Sequence, residues 1–151
     1  MVIRHYEKAK VSKSNIVLVG GCFDILHYGH IQFLKKAKAL GNYLIVLLES
    51  DENIKRLKGE NRPIFGQNER REMLLSLKFV DEVIILSESM KDEDYRKLVK
   101  DIKPNFIAIT EGDPIIEKKR KQAESVGAKL VEIPRLAAPS TSQILKILKI
   151  E

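Results

Sequence analysis

The chain has one cysteine, Cys22, in 151 residues. A single thiol closes no internal disulfide, which excludes a disulfide-stapled scaffold and agrees with a reducing compartment. Tryptophan is absent, and the aromatic 6% is not interleaved with the basic runs, so the stacking platform of a single-strand nucleic-acid binder is missing. No apolar run reaches the roughly 18 residues of a membrane span, and residues 1–14 form a polar, Lys-rich arm without the apolar segment of a signal peptide. Neither a nucleic-acid nor a membrane partner is expected, and the location expected is cytoplasmic. Histidine is scarce too: Cys22, His27 and His30 lie near one another but only His5 remains as a fourth ligand, so no structural metal site is expected.

What is present is a 44% hydrophobic chain of a size that folds as one domain. Lys and Arg number 27 against 21 Asp and Glu, a formal charge of +6 that favours an anionic partner. Part of the excess lies in Lys35, Lys36 and Lys38 and in Lys118, Lys119, Arg120 and Lys121, which read as solvated helix faces.

Strand-length apolar runs recur at Ile16 to Val19, Tyr43 to Leu48, Val83 to Leu86, Phe106 to Ile109 and Lys129 to Ile133. Helical patterns fall near 29–40 (stopping at Gly41), 68–77, 92–102, 114–126 and 141–148. The alternation is α/β, and the unbroken Leu, Ile and Val of the second and third runs suits strands covered on both faces. A doubly wound, parallel, five-stranded sheet is expected over residues 15–151, with its ligand site beyond the carboxyl ends of the strands.

The most informative stretch is Gly20-Gly21-Cys22-Phe23-Asp24-Ile25-Leu26-His27-Tyr28-Gly29-His30, between the first strand and the first helix. Free N–H groups at a helix start attract an anion, Gly29 lets a phosphate approach, and His27 and His30, three residues apart, can face it together. Neither the G-x-G-x-x-G fingerprint nor a P-loop is present. Arg70 precedes Met73, Leu74 and Leu77 at i+3, i+4 and i+7 and so lies on its helix's apolar face, where it either meets an anion or snorkels to solvent. Ser140 with Gln143 fits a capping box, and Ser140 and Thr141 can equally hold phosphates. Lys55, Lys58 and Arg62 fall in a Gly- and Pro-containing loop, either a lid of mobile cations or a plain solvated turn.

Cys22 to His30 resembles the T/C/V-F-D-x-x-H-x-G-H signature of the cytidylyltransferase-like nucleotidyltransferases, and the similarity runs from about Asn15 to the end. Ser50 to Pro63 is most similar to heptose-1-phosphate adenylyltransferases; Asn68-Glu69-Arg70-Arg71 falls at the family's E-x-R position, and Arg135 with Ser140-Thr141-Ser142-Gln143-Ile144 at its closing R…S-T-S/T-x-I. Thr110-Glu111-Gly112-Asp113 departs from the family's G-G/D-D pattern by placing Glu111 beside the site, and Ala137-Ala138-Pro139 is unlike the Thr, Glu or Gly of relatives.

The resemblance implies a Rossmann-like enzyme that moves AMP from ATP to a sugar phosphate and releases pyrophosphate, with Mg²⁺ held mainly by nucleotide phosphates and a homodimer as the common assembly. It implies His27, His30, Lys58 and Arg70 as catalytic residues. Gly21, Cys22, Phe23, Gly29, His30, Asp113, Arg135, Ser140 and Thr141 would bind nucleotide, and Asp24, Lys55 and Arg62 the phosphorylated acceptor. Glycerol-3-phosphate cytidylyltransferase and FAD synthetase are the alternative activities. A catalytically idle nucleotide-binding module and a nucleic-acid binder are the alternatives outside the enzyme class.

Overall fold

The computed structural model describes residues 3–8 and 12–150. Its strands are β1 (Arg4–Glu7), β2 (Ile16–Gly21), β3 (Tyr43–Leu48), β4 (Glu82–Ile85), β5 (Phe106–Thr110) and β6 (Lys129–Ile133). The helices are α1 (Tyr28–Lys38), α2 (Asp51–Lys58), α3 (Gln67–Leu75), α4 (Asp92–Ile102), α5 (Ile116–Val126) and α6 (Thr141–Ile147). They form one sheet of order β1-β4-β3-β2-β5-β6. All neighbours are parallel except the β1–β4 pair.

Every residue of β3 is buried, which is why its run is apolar without alternation. In β2 successive side chains face opposite layers. Val17 and Val19 join Leu34, Ala37 and Leu74 on one face, and Leu18 joins Leu98, Val99 and Ala123 on the other. After β2 the chain crosses to β3 on one side, while β5 pairs with β2 on the other. Order reverses there, so a crevice opens above the carboxyl ends of β2 and β5.

The sheet has six strands rather than the five expected. The extra strand is β1, within the polar segment read as an arm, pairing antiparallel with β4 from Arg4 opposite Ile85 to Glu7 opposite Glu82. Its mostly exposed residues carry no apolar alternation, so pattern reading passes over it. His5 Nδ1 contacts the buried Glu82 carboxylate at 2.9 Å, and Lys13 forms an ion pair with the same carboxylate at 3.1 Å. A polar strand on β4 also blunts an otherwise open apolar edge.

The segment read as a loop after β3 is largely helix α2. Ser50 caps it, its Oγ accepting the Asn53 N–H at 3.2 Å, with Asp51 and Glu52 in the first turn and basic residues in the last. Gly41 does not end α1 in a left-handed turn, for Ala39 caps that helix in the right-handed region. Glycine is needed at 41 because a Cβ would lie 2.0 Å from the Asn15 carbonyl oxygen, where the chain returns past the start of β2.

Candidate active site

At the end of β2 the chain turns sharply, and Phe23 takes φ 44°, a left-handed conformation held by burial of its ring. Gly21 makes room for that ring, since a Cβ there would come within 2.8 Å of it. His27 then caps α1, its Nδ1 accepting the Gly29 N–H at 3.1 Å. This fixes the neutral ring's proton on Nε2 and leaves Nε2–H free to donate. A Cβ at Gly29 would stand 3.0 Å from the folded-back imidazole, so any larger residue there would press on the His27 ring.

His30 stacks on His27 with ring centroids 3.8 Å apart and planes inclined 27°. Phe23 also packs against His30, with ring centroids 5.2 Å apart and planes inclined 56°. Burial, with the neighbouring His27 adding to it, pushes His30 down to about 4, and burial also lowers His27. His30 Nδ1 is buried without a hydrogen bond of normal geometry, although the Ile25 carbonyl is close enough to oppose that shift. Both rings are therefore neutral near pH 7 rather than fixed cations, and His27 presents its Nε2–H as a donor. Burial pushes the Cys22 thiol up, which removes it as a thiolate nucleophile.

The imidazoles line a cleft of about 590 Å³ walled by β2, α1, the ends of β5 and β6, and the start of α6. Of the residues read as nucleotide-binding, Gly21, Cys22, Phe23, Gly29, His30, Asp113, Arg135 and Ser140 all line it. Arg135 is exposed and its guanidinium has no partner among the described residues. Thr141 does not line the cleft: it is buried, and its hydroxyl donates to the Ile25 carbonyl at 3.3 Å. Ser140 caps α6, with Oγ accepting the Gln143 N–H at 3.3 Å and the Gln143 side chain returning to Ser140 N at 2.7 Å.

Three further assignments are corrected. Asp24 is 1% and Arg62 2% exposed, and Arg62 Nε donates to the Asp24 carboxylate at 2.8 Å. Asp24 also accepts the N–H groups of Ile64 and Phe65, so it orders the α2–α3 connection from inside and neither residue faces an acceptor. Arg70 lies inward as its spacing requires but touches no ligand space. Its donors reach the carbonyls of Phe65 (2.9 Å), Cys22 (2.7 Å) and Glu49 (3.0 Å) and the Asp51 carboxylate (2.7 Å). These bonds use all five guanidinium N–H groups, so Arg70 is a positioning residue.

Lys58 stands at the exposed end of α2, close enough for its charge to lower the pKa of both Cys22 and His30. Lys55 lies half-buried one turn earlier on the same helix. Among the described residues neither ammonium has an ion pair or hydrogen bond.

A second cavity of about 370 Å³ opens on the other side of the β2 end, between α2, α4 and α5. Here the sequence reading missed Lys119, which lines both cavities and is half-buried rather than solvated. The signal was available in helical spacing: Ile116, Lys119, Ala123 and Val126 fall on the inward stripe of α5, and burial lowers the Lys119 pKa.

The sequence matches the family model described as Cytidylyltransferase-like over residues 18–145. It is 39% identical over 147 residues to the bifunctional protein HldE of Helicobacter pylori, covering 95% of this chain and 29% of that protein. It is 46% identical over 121 residues to the bifunctional protein HldE of Nitratiruptor, covering 80% of this chain and 24% of that protein. The chain thus spans less than a third of these curated relatives. Among solved structures, a lipopolysaccharide core biosynthesis protein from Thermoplasma volcanium superposes with TM-score 0.65 at 30% identity, covering 82% of this chain and 98% of that one. TmcAL of Thermotoga maritima, at 12% identity and TM-score 0.63, shares the fold. With the histidine pair at the strand reversal and the match running through nearly every element of the sheet, the chain belongs to the cytidylyltransferase-like family.

Proposed function

We propose that this chain transfers the adenylyl group of ATP to the phosphate of a sugar phosphate and releases pyrophosphate. The observation that carries the reading is the stacked, neutral His27–His30 pair opening onto a cleft whose far wall bears the free Arg135. Rings held at 3.8 Å by a cap bond and by Phe23 need no reorganisation to donate to phosphate oxygens. The likeness to bifunctional HldE proteins across most of the chain supports a sugar phosphate as acceptor.

In this reading an acceptor phosphate oxygen bonds to the α-phosphorus as the bond to the β-phosphate oxygen breaks, and pyrophosphate leaves with that electron pair. The acceptor is already a dianion, so no side chain has to abstract a proton. His27 and His30 donate to α-phosphate oxygens, Lys58 faces the charge that develops there, and Arg135 with Ser140 lies along the nucleotide. Asp24, Arg62 and Arg70 hold the walls that aim these groups.

Among the described residues no three carboxylate, imidazole or thiol groups converge. Asp113, which lines both cavities, nevertheless offers a hard oxygen suited to an ion that rides on nucleotide phosphates. Bound Mg²⁺ would supply neutralisation of phosphate charge. The test is pyrophosphate release from ATP or CTP over a panel of heptose 1-phosphate, glycerol 3-phosphate and FMN. ATP with heptose 1-phosphate should give turnover, and turnover confined to CTP with glycerol 3-phosphate would replace this assignment.

A further inference from the structure

We propose that Lys119 holds the acceptor's phosphate at the junction of the two cavities and that the second cavity takes the acceptor's polyhydroxylated body. The inference rests on the transferase reading above and adds to it the place of the second substrate.

Five residues line both cavities: Gly20, Gly21, Cys22, Asp113 and Lys119. Lys119 is the one cation among them. Its Nζ stands 3.8 Å from where a Cβ of Gly20 would project, so the ammonium reaches across the end of β2 into space left by a missing side chain. It makes no ion pair or hydrogen bond among the described residues, and Asp113 and Glu49 act on it only through the field. A half-buried ammonium without a partner is costly until an anion arrives, and the desolvation that lowers its pKa is relieved by the same anion.

The anion's type follows from its surroundings. Beyond Lys119 the second cavity presents Glu49, Tyr95, Gln122 and the Asp92–Lys118 ion pair at 2.8 Å, with Tyr95 Oη donating to Glu49 at 3.2 Å. With Asp92 neutralised by Lys118, this lining offers a polyphosphate no excess positive charge, while the Glu49 and Asp92 oxygens accept hydrogen bonds from hydroxyl groups. A molecule with one phosphate end and a neutral, hydroxyl-rich body matches that polarity, and about 370 Å³ is in the range of small-molecule sites. The triphosphate belongs in the other cleft, where the imidazoles and Arg135 stand. Across the shared wall the acceptor oxygen then approaches the α-phosphorus from the side opposite to departing pyrophosphate. Lys119 keeps its protons throughout: one P–O bond forms and one breaks.

The probe is heptose 1-phosphate, titrated calorimetrically onto protein saturated with Mg²⁺ and α,β-methylene-ATP. Lys119→Met keeps the apolar stem and should weaken sugar-phosphate binding at least tenfold while affinity for the ATP analogue stays within twofold. Lys119→Arg should recover part of the loss, and Lys121→Met on the exposed face should change neither. Sugar-phosphate affinity unchanged in Lys119→Met, an equal loss for the ATP analogue, or no sugar-phosphate binding by the unaltered protein would each overturn the inference. If the sugar phosphate binds through Lys119 yet no pyrophosphate is released from ATP, the transferase reading falls and the binding site stands.

Discussion

The Asp24 carboxylate and the Arg62 guanidinium meet at 2.8 Å with both side chains withdrawn from solvent. The same carboxylate takes the Ile64 and Phe65 N–H groups at 2.9 and 3.0 Å, so the signature loop and the α2–α3 connection are one unit.

Removing one partner of such a pair leaves an uncompensated buried charge. Arg62→Ala is therefore expected to lower the free energy of unfolding by about 3–5 kcal/mol, read from urea denaturation. Asp24→Asn should cost a similar amount, because it leaves the buried Arg62 charge without a carboxylate and turns an NH2 toward groups that are themselves donors. A loss under about 1 kcal/mol for Arg62→Ala would mean that the pair behaves as an exposed one.

Arg70 joins the ends of β2 and β3, the first turn of α2 and the approach to α3 through one guanidinium. Lysine offers three donors in a different geometry and cannot reach all these acceptors. Arg70→Lys should lose about 2–4 kcal/mol of stability, with kcat falling only as the site loosens. An unchanged denaturation midpoint combined with a hundredfold drop in kcat would instead place Arg70 against the reacting phosphates.

Much of this was legible in the sequence where one physical requirement dominated. The unbroken apolar run of β3 is what burial between two helical layers demands, and Cys22 to His30 lies where strand-to-helix geometry exposes N–H groups. The inward direction of Arg70 followed from i+3 and i+4 spacing, but its ligands did not, since backbone carbonyls at the ends of two other strands are invisible in a linear pattern. β1 was hidden because its stability comes from pairing with β4 and from Glu82 rather than from apolar alternation. Lys119 was obscured by its neighbours: within the basic run of residues 118–121 composition suggests a solvated face, and only helical phase separates the inward lysine from the rest.

His30 ties stability to pH. Its pKa is near 4 in the folded protein against an ordinary 6.5, so the unfolded chain takes up the proton first as pH falls. The stabilisation is present above pH 6.5 and is lost progressively between 6.5 and 4, by up to roughly 3 kcal/mol at about 1.4 kcal/mol per unit. His27, also lowered, adds in the same direction. Urea midpoints for the unaltered protein should fall across this interval more steeply than for His30→Gln, and parallel curves would show that the buried ring does not titrate this way.

Lys58 and His30 separate a charge effect from a structural one. Lys58 is exposed and without an ion pair among the described residues, so Lys58→Ala should leave the thermal midpoint within about a degree while kcat drops by about 10²–10³. His30→Ala should lower kcat by about 10²–10⁴ with ATP affinity changed far less. A rise in KM at constant kcat in either variant would assign it to binding shared equally by the ground and transition states.

The base of the nucleotide is the last point open to direct test. The stretch from Ser50 to Pro63 resembles adenylyltransferases, and much of it is α2; none of its residues lines the cleft of the histidine pair. We predict that the base is read along the cleft wall formed by Ile133, Pro134, Leu136 and Ala138 at the end of β6. Backbone N–H and C=O groups at a strand end discriminate bases by hydrogen bonding, and a wrong base leaves them unpaired at roughly 1–3 kcal/mol each. One such mismatch corresponds to about a 5- to 150-fold difference in affinity. With Mg²⁺ present, ATP should raise the thermal midpoint at a lower concentration than CTP, because ligand binding to the native state alone stabilises it in proportion to the logarithm of concentration over Kd. Equal protection would mean that this wall does not read the base, and stronger protection by CTP would move the assignment to a cytidylyltransferase.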